Sequence, residues 1–182
     1  MAIPAGEFGR GIDNVTRFGE QSVLMPIILH ETVIQAAVLP VWMFFMDPVK
    51  NLPAISPPGD VVVIESADLP MREGATIAIV ARDPLGRRIR WQSRITVFTP
   101  PHPVVFGLEA RFVDEQVAGP FAMWKHEHEF EAIDDATTRM LDRITYKPPL
   151  GALGFVIDWL YLRWKLRAML KHRGNALKVK LE

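Results

Sequence analysis

The chain has 182 residues, 49% of them hydrophobic and 23% charged, with a formal net charge of zero. That balance fits a soluble globular protein of about one domain and gives no electrostatic bias toward nucleic acid or an anionic membrane. Cysteine is absent, which excludes disulfides, thiol nucleophiles and cysteine-ligated metal centres and fits a reducing cytoplasm.

The opening stretch, MAIPAGEFGRGIDNVTRFGEQS, has no basic segment followed by an apolar core, so no signal peptide is expected. Residues 1–23 read as a poorly ordered extension and 24–182 as a single domain. LMPIILHETVIQ (24–35) is rich in Ile and Val and predicts a first strand. Pro40 suits the first turn of a short apolar helix, VWMFFM, which Asp47-Pro48 ends; the prolines that follow make a second helical turn or a loop. VVVIES (61–66), ATIAIVAR (75–82) and RRIRWQSRITVF (87–98) predict three strands separated by turn-forming ADLPMREG and DPLG.

The last of these strands alternates. Ile89, Trp91, Ser93, Ile95 and Val97 share one face, against Arg88, Arg90, Gln92, Arg94 and Thr96. One apolar face at period two predicts an antiparallel sheet packed on one side. VVFGLEARFVDEQV, FAMWKHEHEFEAI and TTRMLDRITY supply three more strands. From PPLGALG onward one long helix is expected to about Leu177, with Leu153, Val156, Ile157, Leu160 and Trp164 at helical spacing. Its apolar opening, LGALGFVIDWLYLRW, is too short and too charged to span a bilayer.

The expected fold is therefore α+β: a curved antiparallel sheet of about six to seven strands around a long C-terminal helix, with two short helices after the first strand. That order resembles the helix-grip fold of the START-like (SRPBCC) superfamily. WQSRIT, FVDEQVAGPFAMWKHEHEF, TTRMLDRITYKPPLGALG and the helical LKHR resemble its bacterial cyclase/dehydrase-like, ligand-binding branch, over roughly Met25 to Leu177. One departure is an inserted PVVFGLEAR near residues 103–111, which bears on the shape of the cavity mouth. The resemblance implies a deep apolar cavity between sheet and helix for a lipid, polyketide or aromatic molecule. Relatives of this kind carry or sense the ligand, or use the cavity for cyclisation or dehydration.

On the strand from Met123 to Phe130, Trp124, His126, His128 and Phe130 share a face opposite Met123, Lys125, Glu127 and Glu129. The charged set belongs in water, so the histidines point inward. On the next strand Thr138, Met140, Asp142, Ile144 and Tyr146 form the inner set, because the other face carries two arginines. A simple turn would set Met140 opposite His128 and Asp142 opposite His126. Three readings compete for this cluster. A metal needs at least three ligands, His-x-His on the strand supplies only two, and Asp142 would have to be the third; no metal or other cofactor is expected. His126 with Asp142 could act as an acid–base pair in a cyclase, dehydratase or isomerase. Otherwise the cluster is a hydrogen-bonded polar group that orients a ligand or ties two strands.

The expected cavity lining is Trp91, Trp124, His126, His128, Phe130, Met140, Asp142 and Tyr146. Asp114, Glu115 and Gln116 stay open, because the tight turn after them leaves their register ambiguous. The expected partner is an apolar small molecule rather than nucleic acid. Arg163, Lys165, Arg167, Lys171 and Arg173 on the last helix are either a solvated face or a surface for transient membrane or protein contact. Phosphate-loop and serine-nucleophile motifs are absent.

Overall fold

The computed structural model describes residues 25–60, 62–82, 86–102 and 110–182. The expected N-terminal extension, and the inserted segment apart from Ala110 and Arg111, lie outside the described residues. Strand β1 (Ile27–Ile34) is followed by helices α1 (Val38–Phe45) and α2 (Pro48–Ile55) and a 3-10 turn, Pro58–Asp60. Strands β2 (Val63–Ala67), β3 (Thr76–Arg82), β4 (Arg88–Thr99), β5 (Ala110–Ala118), β6 (Met123–Asp134) and β7 (Thr137–Lys147) then run as a meander. The chain ends in helix α3 (Gly151–Ile157), a π turn (Asp158–Leu162) and helix α4 (Arg163–Leu181).

All seven strands form one antiparallel sheet in the order β1-β7-β6-β5-β4-β3-β2, so the first strand closes beside the last. Asp47 does more than end α1. Its side chain accepts from the backbone N–H of Lys50 at 3.1 Å, capping α2, and Pro48 takes the first helical position where no N–H is needed.

Helix α1 drives Trp42, 3% exposed, against the sheet, with Phe98, Phe112 and Phe130 at ring separations of 5.3, 5.9 and 5.6 Å. Phe98 takes the inner place where strict alternation along β4 puts Val97. A register irregularity between Ile95 and Val97 shifts the phase of the strand at that point. A second core cluster joins Ile28, Trp124, Ile144 and Tyr146 to Leu166 and Leu170 of α4. Each such fully buried aliphatic or aromatic side chain contributes about 1.5–3 kcal/mol relative to exposure.

The C-terminal helix corrects the expected stripe. Gly154, Asp158, Leu166, Leu170, Gly174 and Leu177 are the buried positions, three, four or eight residues apart and so on one helical stripe. Leu153, Val156, Ile157, Leu160 and Trp164 are all exposed, between 42 and 63%. The first turns are apolar nearly all round, so two stripes fit the sequence. The phase is fixed by α4, whose clean run of Leu166, Leu170 and Leu177 extends back through a polar residue. Gly174 allows α4 to lie close on β1: a Cβ there would sit 2.5 Å from Thr32 Oγ1 and 3.1 Å from His30 Nε2.

Candidate functional site

Strand β6 alternates strictly, with Trp124, His126, His128 and Phe130 buried and the residues between them half-buried. Strand β7 buries Thr138, Met140, Asp142, Ile144 and Tyr146 in the same rhythm. The outward charges pair with one another, as Lys125 does with Glu127 at 3.0 Å. The register between the strands differs from the expected one. His128 faces Asp142, His126 faces Ile144 and Phe130 faces Met140. The hairpin closes on Asp134 and Thr137, and that pairing carried down the ladder would set His128 across from Arg143. A β-bulge between Ala132 and Asp134 removes the offset and brings a carboxylate to the inner face instead.

Asp142 still reaches both imidazoles. Its Oδ1 lies 3.0 Å from His126 Nε2 in a hydrogen bond. The same oxygen is 2.9 Å from His128 Nδ1, but out of line, a close charge contact rather than an aligned bond. The rings of His126 and His128 are 3.9 Å apart, and Phe112 stacks on His128 at 4.2 Å.

Strand β5 brings a second carboxylate. Asp114 stands opposite His126, with Oδ2 3.7 Å from His126 Nδ1 and 3.6 Å from His128 Nε2. Of the three residues left open by the sequence, only Asp114 lines the cavity. Glu115 accepts from Thr96 Oγ1, and Gln116 spans the turn through the backbone C=O and N–H of Phe121.

Burial pushes both carboxyls up, but the histidines more than compensate and hold Asp114 and Asp142 below the ordinary carboxylate range. Burial, then the neighbouring His128, lowers His126 despite Asp142. His128 is also penalised by burial, yet the two aspartates raise it above the ordinary value. The two imidazoles are thus pushed in opposite directions, His126 toward the neutral form and His128 toward the protonated one. Arg173 of α4 lines the same cavity instead of an outer basic face. Its Nε is buried with no partner among the described residues, and burial lowers its affinity for the proton.

These side chains form the polar end of a cavity of about 340 Å³ between sheet and helix. Trp91, Trp124, His126, His128, Met140 and Asp142 line it, beside apolar residues such as Phe45, Ile77 and Leu166. Phe130 and Tyr146 do not. Phe130, fully buried, packs against Trp42 and Phe45. Tyr146 donates its hydroxyl hydrogen to Asp158 Oδ1, whose other oxygen accepts from Arg163 at 2.9 Å.

Two residues escaped the sequence reading for one reason: Arg173 and Asp158 look like surface charges on a helix whose buried stripe was misphased. Asp114 left a usable signal, because it alternates with Phe112 on the strand preceding the histidines. Among the described residues no helix is long and apolar enough to cross a membrane.

No known family profile and no curated protein matches the chain. Solved structures do. A START superfamily protein from Mycobacterium smegmatis is 11% identical, with a TM-score of 0.57 over 85% of this chain and 96% of that one. The Zhui aromatase/cyclase from a Streptomyces species is 17% identical, with a TM-score of 0.59 over 86% and 93%. Norcoclaurine synthase from Thalictrum flavum, in complex with dopamine and hydroxybenzaldehyde, is 14% identical, with a TM-score of 0.58 over 96% and 95%. At these identities the likeness is one of fold: the chain has the helix-grip, SRPBCC-type architecture.

Proposed function

We propose that the protein holds a largely apolar small molecule, of lipid, polyketide or aromatic type, in the cavity between sheet and C-terminal helix, as a carrier or sensor. The observation that carries this is the cavity itself. It is walled mainly by apolar and aromatic side chains, with a few convergent polar groups at one end, the composition of a small-molecule site. The aromatics Trp91, Phe121 and Trp124 touch one another at 4.7–5.3 Å and offer a flat apolar surface to rings or acyl chains. The His–Asp cluster would fix the orientation of a polar head.

A second reading is favoured by one distance. His126 and Asp142 are 3.0 Å apart and both line the cavity, within reach of a bound molecule. A neutral imidazole held by a carboxylate can remove a proton beside a carbonyl, the step a cyclase or dehydratase needs. Structural neighbours include an aromatase/cyclase and a synthase, which supports the reading only as analogy of fold.

In the carrier reading the ligand is loaded at an anionic bilayer. Leu153, Trp159, Leu160 and Trp164 are 60–64% exposed at the start of the C-terminal helix, beside exposed Arg167 and Lys171. Arg163 and Lys165 are engaged with Asp158 and Asp60, so the exposed apolar side chains carry most of the proposed contact.

The test is native mass spectrometry of protein purified from its own host, with displacement of a fluorescent apolar probe, anilinonaphthalene sulfonate. A co-purifying small molecule, and probe binding weakened at least tenfold by the cavity-filling Ile79→Trp, are expected. Folded protein that binds no apolar probe would remove the basis of the proposal.

A further inference from the structure

We propose that Asp114, His126 and His128 form a three-ligand site for a divalent transition cation of the zinc class, with its fourth position open to the cavity. The sequence offered His-x-His on one strand, with Asp142 as the candidate third ligand. The fold adds Asp114 from β5, and one donor atom from each residue lies within 4.8 Å of the others.

The separations match ligands around a shared ion better than hydrogen bonds. Asp114 Oδ2 is 3.7 Å from His126 Nδ1 and 3.6 Å from His128 Nε2. Aligned N–H···O bonds run to about 3.2 Å. Ligand atoms of a tetrahedral ion with bonds of about 2.0–2.1 Å are about 3.3–3.4 Å apart. For the two carboxylate–imidazole pairs the remaining gap is a few tenths of an ångström, and the two imidazole donor atoms lie within 4.8 Å of each other on one strand.

The donor set of two imidazoles and one carboxylate suits zinc, ferrous iron or manganese, and it contains no thiolate to favour softer metals. The other nitrogens are held from behind. Asp142 Oδ1 accepts from His126 Nε2 at 3.0 Å and lies 2.9 Å from His128 Nδ1, so it is a positioning carboxylate for both rings. With Nε2 of His126 engaged in this way, its Nδ1 lone pair turns toward Asp114. Because a metal-bound imidazole nitrogen carries no proton, binding should weaken as pH falls.

Charge also favours a cation. Two carboxylates with two neutral imidazoles carry two negative charges, of which Arg173 offsets one. Asp114, His126, His128 and Asp142 all line the cavity, so the open position faces the space a small molecule would occupy. An oxygen of that molecule, from a carboxylate, phenol or enol, is the natural fourth ligand. The proposal rests on the cluster and not on the apolar ligand. It excludes His126 as a free base, because the metal takes the lone pair the base would use.

The test uses the full chain, chelator-treated and dialysed, titrated with Co²⁺ and Zn²⁺. One equivalent of Co²⁺ should produce the visible absorption of a four-coordinate ion, Zn²⁺ should abolish it, and either metal should raise the melting temperature. Asp114→Asn, which keeps the shape of the side chain, and His128→Gln should each weaken binding at least tenfold. Asp142→Asn should weaken it about 10–100-fold without changing the number of ions bound. Folded wild-type protein giving neither absorption nor a shift in melting temperature overturns the proposal. So does a cobalt spectrum and affinity unchanged by Asp114→Asn. The anilinonaphthalene sulfonate assay on metal-free protein separates the two ideas, since probe uptake without metal binding removes this site and leaves the cavity reading standing.

Discussion

Removing the buried carboxylate of Asp158 tests how the C-terminal helix is fastened to the sheet. Asp158 is fully buried, accepts from the Tyr146 hydroxyl of β7, and takes a second bond from Arg163 at 2.9 Å. Hydrogen bonds to a charged group contribute about 1.5–3 kcal/mol, and an orphaned buried hydroxyl costs about 1–3 kcal/mol. Arg163 is 35% exposed and can turn to water, so its loss adds little. Asp158→Ala should therefore cost about 2–3 kcal/mol, and Tyr146→Phe about 1.5–3 kcal/mol, because each leaves part of one network unpaired. For a chain of this length that is about 3–12 °C in melting temperature.

The double variant should cost less than the sum, since both changes remove the same bond. Urea unfolding of the two single variants and the double variant closes the cycle. A pH arm checks the assignment. Burial, then the bond to Asp158, pushes the Tyr146 hydroxyl well above its ordinary value. A raised folded value contributes stability that is fully present below the unfolded value, about pH 10, and lost as pH rises beyond it. Wild type should weaken there, and Tyr146→Phe should lack that component. Single variants that each cost under about 0.5 kcal/mol, or that add within that margin, would refute the reasoning.

His126→Phe keeps the bulk but takes from Asp142 its aligned donor at 3.0 Å. The expected cost is about 1–3 kcal/mol; an unchanged melting temperature would show that the pairing contributes nothing. Gly174→Ala improves helix propensity by about 1 kcal/mol, yet its Cβ would meet Thr32 Oγ1 at 2.5 Å on a buried, β-branched neighbour. A net loss of about 1–2 kcal/mol is expected by thermal unfolding, and a rise in melting temperature would mean that α4 and β1 separate freely. Trp159→Ser with Trp164→Ser should cut co-sedimentation with phosphatidylglycerol vesicles at least tenfold. If the wild type itself stays in the supernatant, the bilayer-loading proposal fails.

The fold was legible because its signals were long and redundant. Each strand of the meander carries its own alternation, and β6 and β7 agree on which face is wet because Lys125, Glu127, Arg139 and Arg143 all fall on the outward set. The helix failed at its beginning for a physical reason. GALGFVIDWLYL is apolar on every side, so periodicity alone does not fix which stripe turns inward. The phase set by Leu166, Leu170 and Leu177 of α4 carries a carboxylate inward at Asp158, and it is accommodated by Tyr146 of another element, whose buried hydroxyl requires an acceptor. Gly154 shows the same dependence on neighbours, since a Cβ there would fall 1.8 Å from the Pro149 carbonyl oxygen. That carbonyl belongs to the turn that launches the helix.

The site was half legible, and the missing half lies in irregularities of the sheet. Which residues face inward on one strand follows from period two. Which of them meet across strands depends on the offset that a bulge adds, and a bulge of one residue leaves little trace in composition. Here the bulge near Ile133 turns a His128–Arg143 pairing into His128–Asp142, and register irregularities between β4 and β5 flank the ladder that carries Asp114. Without the first, an arginine would occupy the ladder position that Asp142 takes. Asp142 joins Asp114 and the two imidazoles because that offset selects it, which ties part of the chemistry of the cavity to the backbone of one hairpin. Deleting Ile133 takes out only the extra residue and leaves Asp134 opposite Thr137, Ala132 opposite Thr138 and His128 opposite Asp142, so the cluster should survive in the shortened hairpin. The check is the histidine ring signals by NMR: a shortened hairpin in which His126 and His128 lose their wild-type chemical shifts would show that this one extra residue does not set the register.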